Sequence, residues 1–244
     1  MSFNLDSAKQ QIIKDMTNQG YSVIKGVPLE EDNETFLGLA RMIGTTIAHN
    51  SKVKETVREI TPRDGAMPLE NYPHTDSPHW PNPNDAIVLQ CKLEDQHRDV
   101  FSRIVLIDDV LEEFHDSPTF VTKLREKKIP FILSPDFGSK GVQFQPILTK
   151  DKYHDHVRFC RVDTINCVKD NLAVMDSDEL QELEEFEKTV DKIGKKTQFA
   201  FNKGDVLIFD NKRVFHSKTE TSPDTVRTLK KIKLQFDRDL LFND

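Results

Sequence analysis

Apolar residues recur at two different periods along this chain, and the switches between them mark out helices and strands. From Ser7 to Asn18, Ala8, Ile12, Ile13 and Met16 fall at three- and four-residue intervals, the spacing of one helical face. Asp6 or Ser7 is placed to cap this helix and Gly20 to end it. Tyr21-Ser22-Val23-Ile24-Lys25-Gly26 then alternates as a short strand does. A second helix is expected from Asp32 or Asn33 to Gly44, burying Phe36, Leu37, Leu39, Ala40 and Ile43. This helix–strand–helix opening is expected to pack on the outside of a sheet.

Period two dominates the rest. Val53 to Thr61 reads as a strand, followed by a turn at Pro62-Arg63-Asp64-Gly65. Pro78, Pro81 and Pro83 exclude regular structure from the stretch after Asp76. Ala86–Lys92 and Val100–Ile107 are nearly continuous apolar runs, suited to buried strands. Asp108 or Asp109 can cap a short helix through Phe114, and Ser117 another through Lys127. Ile129–Leu133, Val142–Leu148 and Val157–Val162 read as short strands. A longer helix runs from Asp176 or Ser177 to Ile193, with Leu180, Leu183, Phe186, Val190 and Ile193 on one face. Further strands are expected at Thr197–Phe201, at Val206–Phe209 beyond the turn Lys203-Gly204-Asp205, and at Thr225–Phe236. About ten strands and four or five helices, without repeat or linker, point to one mainly β domain over residues 1–244, a sandwich or barrel with flanking helices.

Charge and composition narrow the class. With 34 basic and 41 acidic residues and a net charge of -7, the chain lacks the basic excess of a general nucleic-acid binder. No apolar run approaches the ~20 residues that span a bilayer, and the first residues carry neither a basic nor an apolar signal segment. Cys91, Cys160 and Cys167 form no Cys-x-x-Cys pair, which suits buried thiols in a reducing cytoplasm. The expected partner is a small molecule, with neither nucleic acid nor membrane; a homo-oligomer is compatible with the sequence.

The stretch Asn71-Tyr72-Pro73-His74-Thr75-Asp76 carries the first chemistry. On extended backbone, His74 and Asp76 project to the same side. Together they make two thirds of a 2-His-1-carboxylate triad, the ligand set of non-heme Fe(II) oxygenases. An isolated His-x-Asp arises often by chance and reads equally as a polar strand end. His216, after the strand and turn near the C-terminus, is the candidate third ligand. Arg227 lies eleven residues later, and its planar guanidinium suits a carboxylate of a dicarboxylic co-substrate. His154-Asp155-His156 has metal-like spacing but lies in a charged, loop-like segment that reads as surface. His79 and Trp80 read equally as substrate rim and as ordinary loop packing.

His74-x-Asp76, His216, Arg227 and the phrase Gly204-Asp205-Val206-Leu207-Ile208-Phe209-Asp210-Asn211-x-Arg213-x-x-His216 resemble the Fe(II)/2-oxoglutarate dioxygenases of the taurine dioxygenase (TauD/TfdA-like) family, which includes carbapenem synthase and clavaminate synthase-like members. The resemblance implies a double-stranded β-helix, that is, a distorted, cupin-like jelly roll. It implies Fe(II) held by His74, Asp76 and His216, with 2-oxoglutarate and O2 as co-substrates and Arg227 on the far carboxylate of 2-oxoglutarate. The family's usual Thr near the start of the strand that ends at Asp108 is missing, and Ser102 is the nearest hydroxyl. Lys231 stands where some relatives carry a second Arg, and is one more candidate 2-oxoglutarate contact. Asp76 is present where halogenating relatives carry Gly or Ala, so hydroxylation is expected of a small polar metabolite such as a free amino acid or derivative. Arg58, Arg63, His79, Trp80 and Arg213 are candidate substrate-pocket residues, Arg213 being equally readable as a structural pin. Desaturation or cyclisation by the same chemistry, a non-catalytic cupin-like metal module and a plain structural β-sandwich are the alternatives.

Overall fold

The computed structural model describes residues 3–49, 55–61, 71–133, 141–219 and 225–236. The turn expected at 62–65, with Arg63, and the start of the strand expected from Val53 lie outside them. One antiparallel sheet has the order β1 (Tyr21–Ile24), β11 (Val206–Asp210), β4 (Ala86–Leu93), β13 (Thr228–Phe236), β2 (Gly44–Ile47), with β3 (Arg58–Ile60) also paired to β13. A smaller antiparallel sheet has the order β10 (Phe199–Ala200), β5 (Phe101–Leu106), β12 (Val214–Lys218).

Alternation along these strands explains how the two sheets and the helices stack. In β4, Ala86 and Val88 join the cluster formed with α1 (Leu5–Gln19) and α2 (Glu34–Arg41), while Ile87 and Cys91 turn the other way. The same division separates Ile208 from Leu207 and Phe209 in β11, and Ile232 and Leu234 from Leu229 in β13. Ile87, Leu207, Phe209 and Leu229 of the large sheet share one cluster with Ile104 of β5 and Val214 of β12, so this cluster lies between the sheets. The outer side of the small sheet, Val105 and Phe215, is covered by α3 (Ile107–Glu113), α4 (Pro118–Glu126) and α6 (Ser177–Gly194), with the hairpins β6 (Lys128–Ile132)–β7 (Val142–Pro146) and β8 (Leu148–Lys150)–β9 (Asp155–Val157). The apolar runs of β4 and β11 are continuous because both faces are buried. Among the described residues no helix is long and apolar enough to cross a membrane.

Several expectations need correction. The first helix is capped by Asn4, whose side chain accepts the Ser7 N–H at 3.0 Å, rather than by Asp6 or Ser7; Gly20 ends it in a left-handed turn at φ 71°. β1 is hydrogen-bonded into the large sheet through β11 rather than lying outside it. Gly44 opens a strand instead of closing a helix, because a Cβ there would collide with the Gln235 carbonyl across the β2–β13 ladder. The strand expected over Val157–Val162 stops at Val157; Cys160 caps α5 (Arg161–Lys169), a helix that buries only Thr164 and Cys167 and so shows little periodicity. Val142–Leu148 is broken after Pro146 into two strands; His216 follows the strand β11 and a turn as expected, and itself lies in a further strand, β12. The thirteen strands and six helices of the described residues exceed the expected count mainly through such short pieces.

The aromatic block over the small sheet centres on Phe186, fully buried, with ring centroids 5.2 Å from Phe159 and 5.9 Å from Phe215. Phe186→Ala should cost roughly 3–5 kcal/mol, lowering Tm by about 10 °C in a calorimetric melt. A fall of only a degree or two would mean that this block does not hold the sheet.

Candidate metal centre

Two segments far apart in the chain are locked together by one pair of backbone bonds. The His74 N–H donates to the His216 carbonyl at 3.1 Å, and the His216 N–H returns to the His74 carbonyl at 3.0 Å. This is the directly opposed, doubly bonded pair of an antiparallel ladder, and it sets the imidazole centroids 4.2 Å apart. Thr75 faces the other way: its N–H donates to the Phe159 carbonyl at 2.8 Å and its hydroxyl accepts the Phe159 N–H at 3.0 Å. Asp76 is held through its backbone by Asn211, in the turn between β11 and β12. The Asn211 Oδ1 accepts the Asp76 N–H at 2.7 Å, and its Nδ2 donates to the Asp76 carbonyl at 2.9 Å and to the Asn84 carbonyl at 3.1 Å.

The side chains then converge. Asp76 Oδ1 lies 3.9 Å from His74 Nε2 and 3.6 Å from His216 Nε2, and one donor atom from each residue lies within 4.8 Å of the other two. Ligands about 2.1 Å from a common ion and at right angles to one another sit about 3 Å apart, so small side-chain movements close this set on a metal. His74 Nδ1 lies 2.9 Å from the Tyr72 carbonyl. A carbonyl only accepts, so the proton sits on Nδ1 and the Nε2 lone pair faces the cluster. Burial, and then neighbouring His74, push the His216 pKa well below its ordinary value, which keeps that ring neutral. Burial pushes the Asp76 carboxyl up, but Lys231, His216 and His74 together outweigh it and hold it well below the usual range. Lys231 Nζ is in direct contact with Asp76 Oδ2, the oxygen turned away from the imidazoles. Two imidazoles and an ionised carboxylate on one side of a site fit a divalent iron-type ion.

These donors open on a cavity of about 160 Å³ between the sheets, walled by Leu89, Leu207, Leu229 and Ile104. Ser102 and Arg227 line it as well, Ser102 two residues along β5 from Ile104, the partner of His216. Arg227 Nη1 lies 3.5 Å from the Ser102 hydroxyl. Lys218, directly opposite Ser102 in the β5–β12 ladder and buried, lines the same cavity.

Other expected site residues divide. His79 and Trp80 stand in the turn after Asp76, with ring centroids 6.4 Å apart, and the Lys233 ammonium lies 5.7 Å from the Trp80 ring centre. Arg58 is exposed on β3. Arg213 is not in the cavity. It is buried at 2% exposure with its guanidinium 3.3 Å from the Met16 carbonyl and 3.4 Å from that of Thr17, at the C-terminal end of α1, and 3.7 Å from Asp108. A cation is favourable at a helix C-terminus, so the pin is the reading that holds. His154, Asp155 and His156 do not form a metal cluster among the described residues, and Asp155 pairs with Arg125 at 2.8 Å. Sequence reasoning missed Asn211 as a clamp, and it missed Lys218, Lys233 and Arg158; of these, the two lysines were detectable as same-face neighbours of His216 and Lys231.

Asn211→Ala frees both backbone groups of Asp76, so divalent-metal affinity should fall about 10- to 100-fold in a calorimetric titration with Mn(II). Unchanged affinity would show that Asp76 is positioned without it.

The model of the family described as taurine catabolism dioxygenase TauD, TfdA family matches residues 2–232. Comparison with curated proteins gives no significant match. Among solved structures, an asparagine oxygenase in complex with Fe(II), 2S,3S-3-hydroxyasparagine and succinate is similar at TM-score 0.74 and 17% identity, over 94% of this chain and 79% of that one. A taurine dioxygenase from Burkholderia xenovorans is similar at TM-score 0.72 and 14% identity, over 97% and 84% of the two chains. The non-heme iron oxygenase OrfP, in complex with Fe, succinate and (3R,4R)-dihydroxy-L-Arg, gives TM-score 0.64 and 15% identity, over 96% and 79%. At these identities the structural likeness establishes the jelly-roll fold, while the match along nearly the whole sequence establishes the family: the chain belongs to the TauD/TfdA dioxygenases.

Proposed function

We propose that this protein is an Fe(II)- and 2-oxoglutarate-dependent hydroxylase of a small polar metabolite, a free amino acid or a derivative of one. The observation that carries the reading is the convergence of His74, Asp76 and His216 at the mouth of a cavity that Arg227 also lines. The asparagine oxygenase and OrfP structures, whose bound products are hydroxylated amino acids, support hydroxylation over desaturation or cyclisation. Bound at this triad, iron(II) with 2-oxoglutarate and O2 would supply an oxidation that inserts one oxygen atom into a C–H bond, giving the alcohol, while the other oxygen atom enters succinate as 2-oxoglutarate loses CO2. The match over residues 2–232 supports reading residues 1–244 as one dioxygenase domain, and three buried, free cysteines suit the cytoplasm.

The chain's own residues have distinct tasks in this reading. His74 and His216 offer neutral nitrogen donors and Asp76 its Oδ1. Lys231 pairs with Oδ2, so Oδ1, which faces the two imidazoles, is the oxygen that would meet the metal. Arg227 takes the far carboxylate of 2-oxoglutarate with the Ser102 hydroxyl, which stands in for the missing Thr, and Lys218 adds a second cation there. The Leu89, Leu207 and Leu229 wall excludes water and strengthens each of these contacts.

Anaerobic addition of Fe(II) and 2-oxoglutarate should produce the weak visible charge-transfer band of a chelated keto acid, and admitting air should yield succinate. Asp76→Ala should lose both; wild-type protein without the band would sink the proposal. Arg227→Met should raise the 2-oxoglutarate concentration at half-maximal band intensity on the order of 100-fold, and an unshifted titration would remove Arg227 from the pocket.

A further inference from the structure

We infer that the substrate is a net anion and that Lys233 is the side chain that reads its negative group. This rests on the hydroxylase reading and adds the charge class of the substrate to it. Lys231 and Lys233 are two residues apart on β13 and project to the same side, toward Asp76. Lys231 is matched by the Asp76 carboxylate. Lys233 makes direct contact only with neutral groups: its ammonium lies 3.4 Å from the Ser77 hydroxyl and 5.7 Å from the Trp80 ring centre, and among the described residues no carboxylate is in ion-pair contact with it, Asp76 acting on it only from a distance.

Arg158 stands at the same rim. It donates to the carbonyls of Pro78 at 2.9 Å, Trp80 at 2.6 Å and Pro81 at 3.3 Å, so it shapes the turn, and among the described residues no carboxylate pairs with it. The two cations make themselves felt on His79. Burial first, and then Lys233 and Arg158, lower its pKa to about 4, so that ring is neutral at physiological pH. Burial lowers the Lys233 pKa too; Asp76 opposes the shift, and Lys231 and Arg58 add to it.

Iron(II) and 2-oxoglutarate carry opposite charges of equal size, so loading the site leaves this positive excess in place. Half-buried like charges without a counter-ion are unfavourable, and an incoming anion relieves them. A substrate ammonium would add to the repulsion, since Asp76 is the one carboxylate among the described residues that line the cavity and is taken by Lys231 and the metal. The chemistry that fits is a carboxylate, sulfonate or phosphonate in excess over any ammonium, on a carbon frame small enough to lie against Trp80. This separates the site from one for neutral asparagine or cationic arginine.

The test uses full-length protein loaded anaerobically with Fe(II) and 2-oxoglutarate, and reads the shift of the charge-transfer band on titration. The probes are matched pairs of nearly equal shape: aspartate against asparagine, glutamate against glutamine, and N-acetylaspartate against N-acetylasparagine, with arginine as the cation. At least one acid should bind 10-fold or more tightly than its amide; Lys233→Met should abolish that preference and Lys233→Arg should keep it, with melting curves confirming that both variants fold. The inference is overturned if the amides or arginine bind as tightly as the acids, if the preference survives in Lys233→Met, or if no acid perturbs the band. A wild-type band absent before any probe is added counts against the oxygenase reading instead, and calorimetric titration of the same pairs then still decides the role of Lys233.

Discussion

The doubly bonded backbone pair between His74 and His216 is the constraint on which the site depends. A pair of candidate ligands drawn from residues 142 positions apart cannot be aligned by local propensity. It is aligned here because one ladder bridge fixes both Cα positions and both side-chain directions at once. The bridge adds a single residue pair at the β12 edge of the small sheet, and the chain then leaves regular structure. Beyond it the backbone is held by side chains: Asn211 on the Asp76 backbone, and Thr75 against Phe159.

The stacking of the two sheets explains why the cavity is polar on one side and apolar on the other. Inward positions on β4, β11 and β13 supply Leu89, Leu207 and Leu229, while the same face of β13 carries Lys231 and Lys233. Outward positions on the same strands are spent on helix packing. A residue inserted in any of these strands would exchange the two sets, so the electrostatics of the site and the core of the domain are one pattern read on opposite faces.

Much of this was legible beforehand. The apolar runs of β4, β5 and β11, the alternation of β13 and the amphipathic α6 have strong periods, and the triad with Arg227 was carried by motif resemblance. The features that escaped did so for physical reasons. β2 is a short edge piece specified by pairing with β13 rather than by its own composition. α5 is nearly without an apolar stripe, so tertiary contact with β6 and α6, not periodicity, makes it a helix. Arg213 was readable as a pocket residue because it stands three positions before His216; its guanidinium reaches instead to the carbonyls at the C-terminal end of α1. Asn211 lay inside the recognised phrase, but only three-dimensional closure shows that its carboxamide bonds a segment 135 residues earlier.

The three carbonyls gathered by Arg158 have a consequence for recognition. A rim of consecutive turns would ordinarily sample many shapes and have to be frozen by each arriving ligand. Here Arg158 ties three carbonyls of the turn in the folded chain, so under the proposed function an arriving substrate has less of the rim left to order. Pre-organisation of this kind lets a molecule with few atoms, and hence few contacts, be held long enough for reaction.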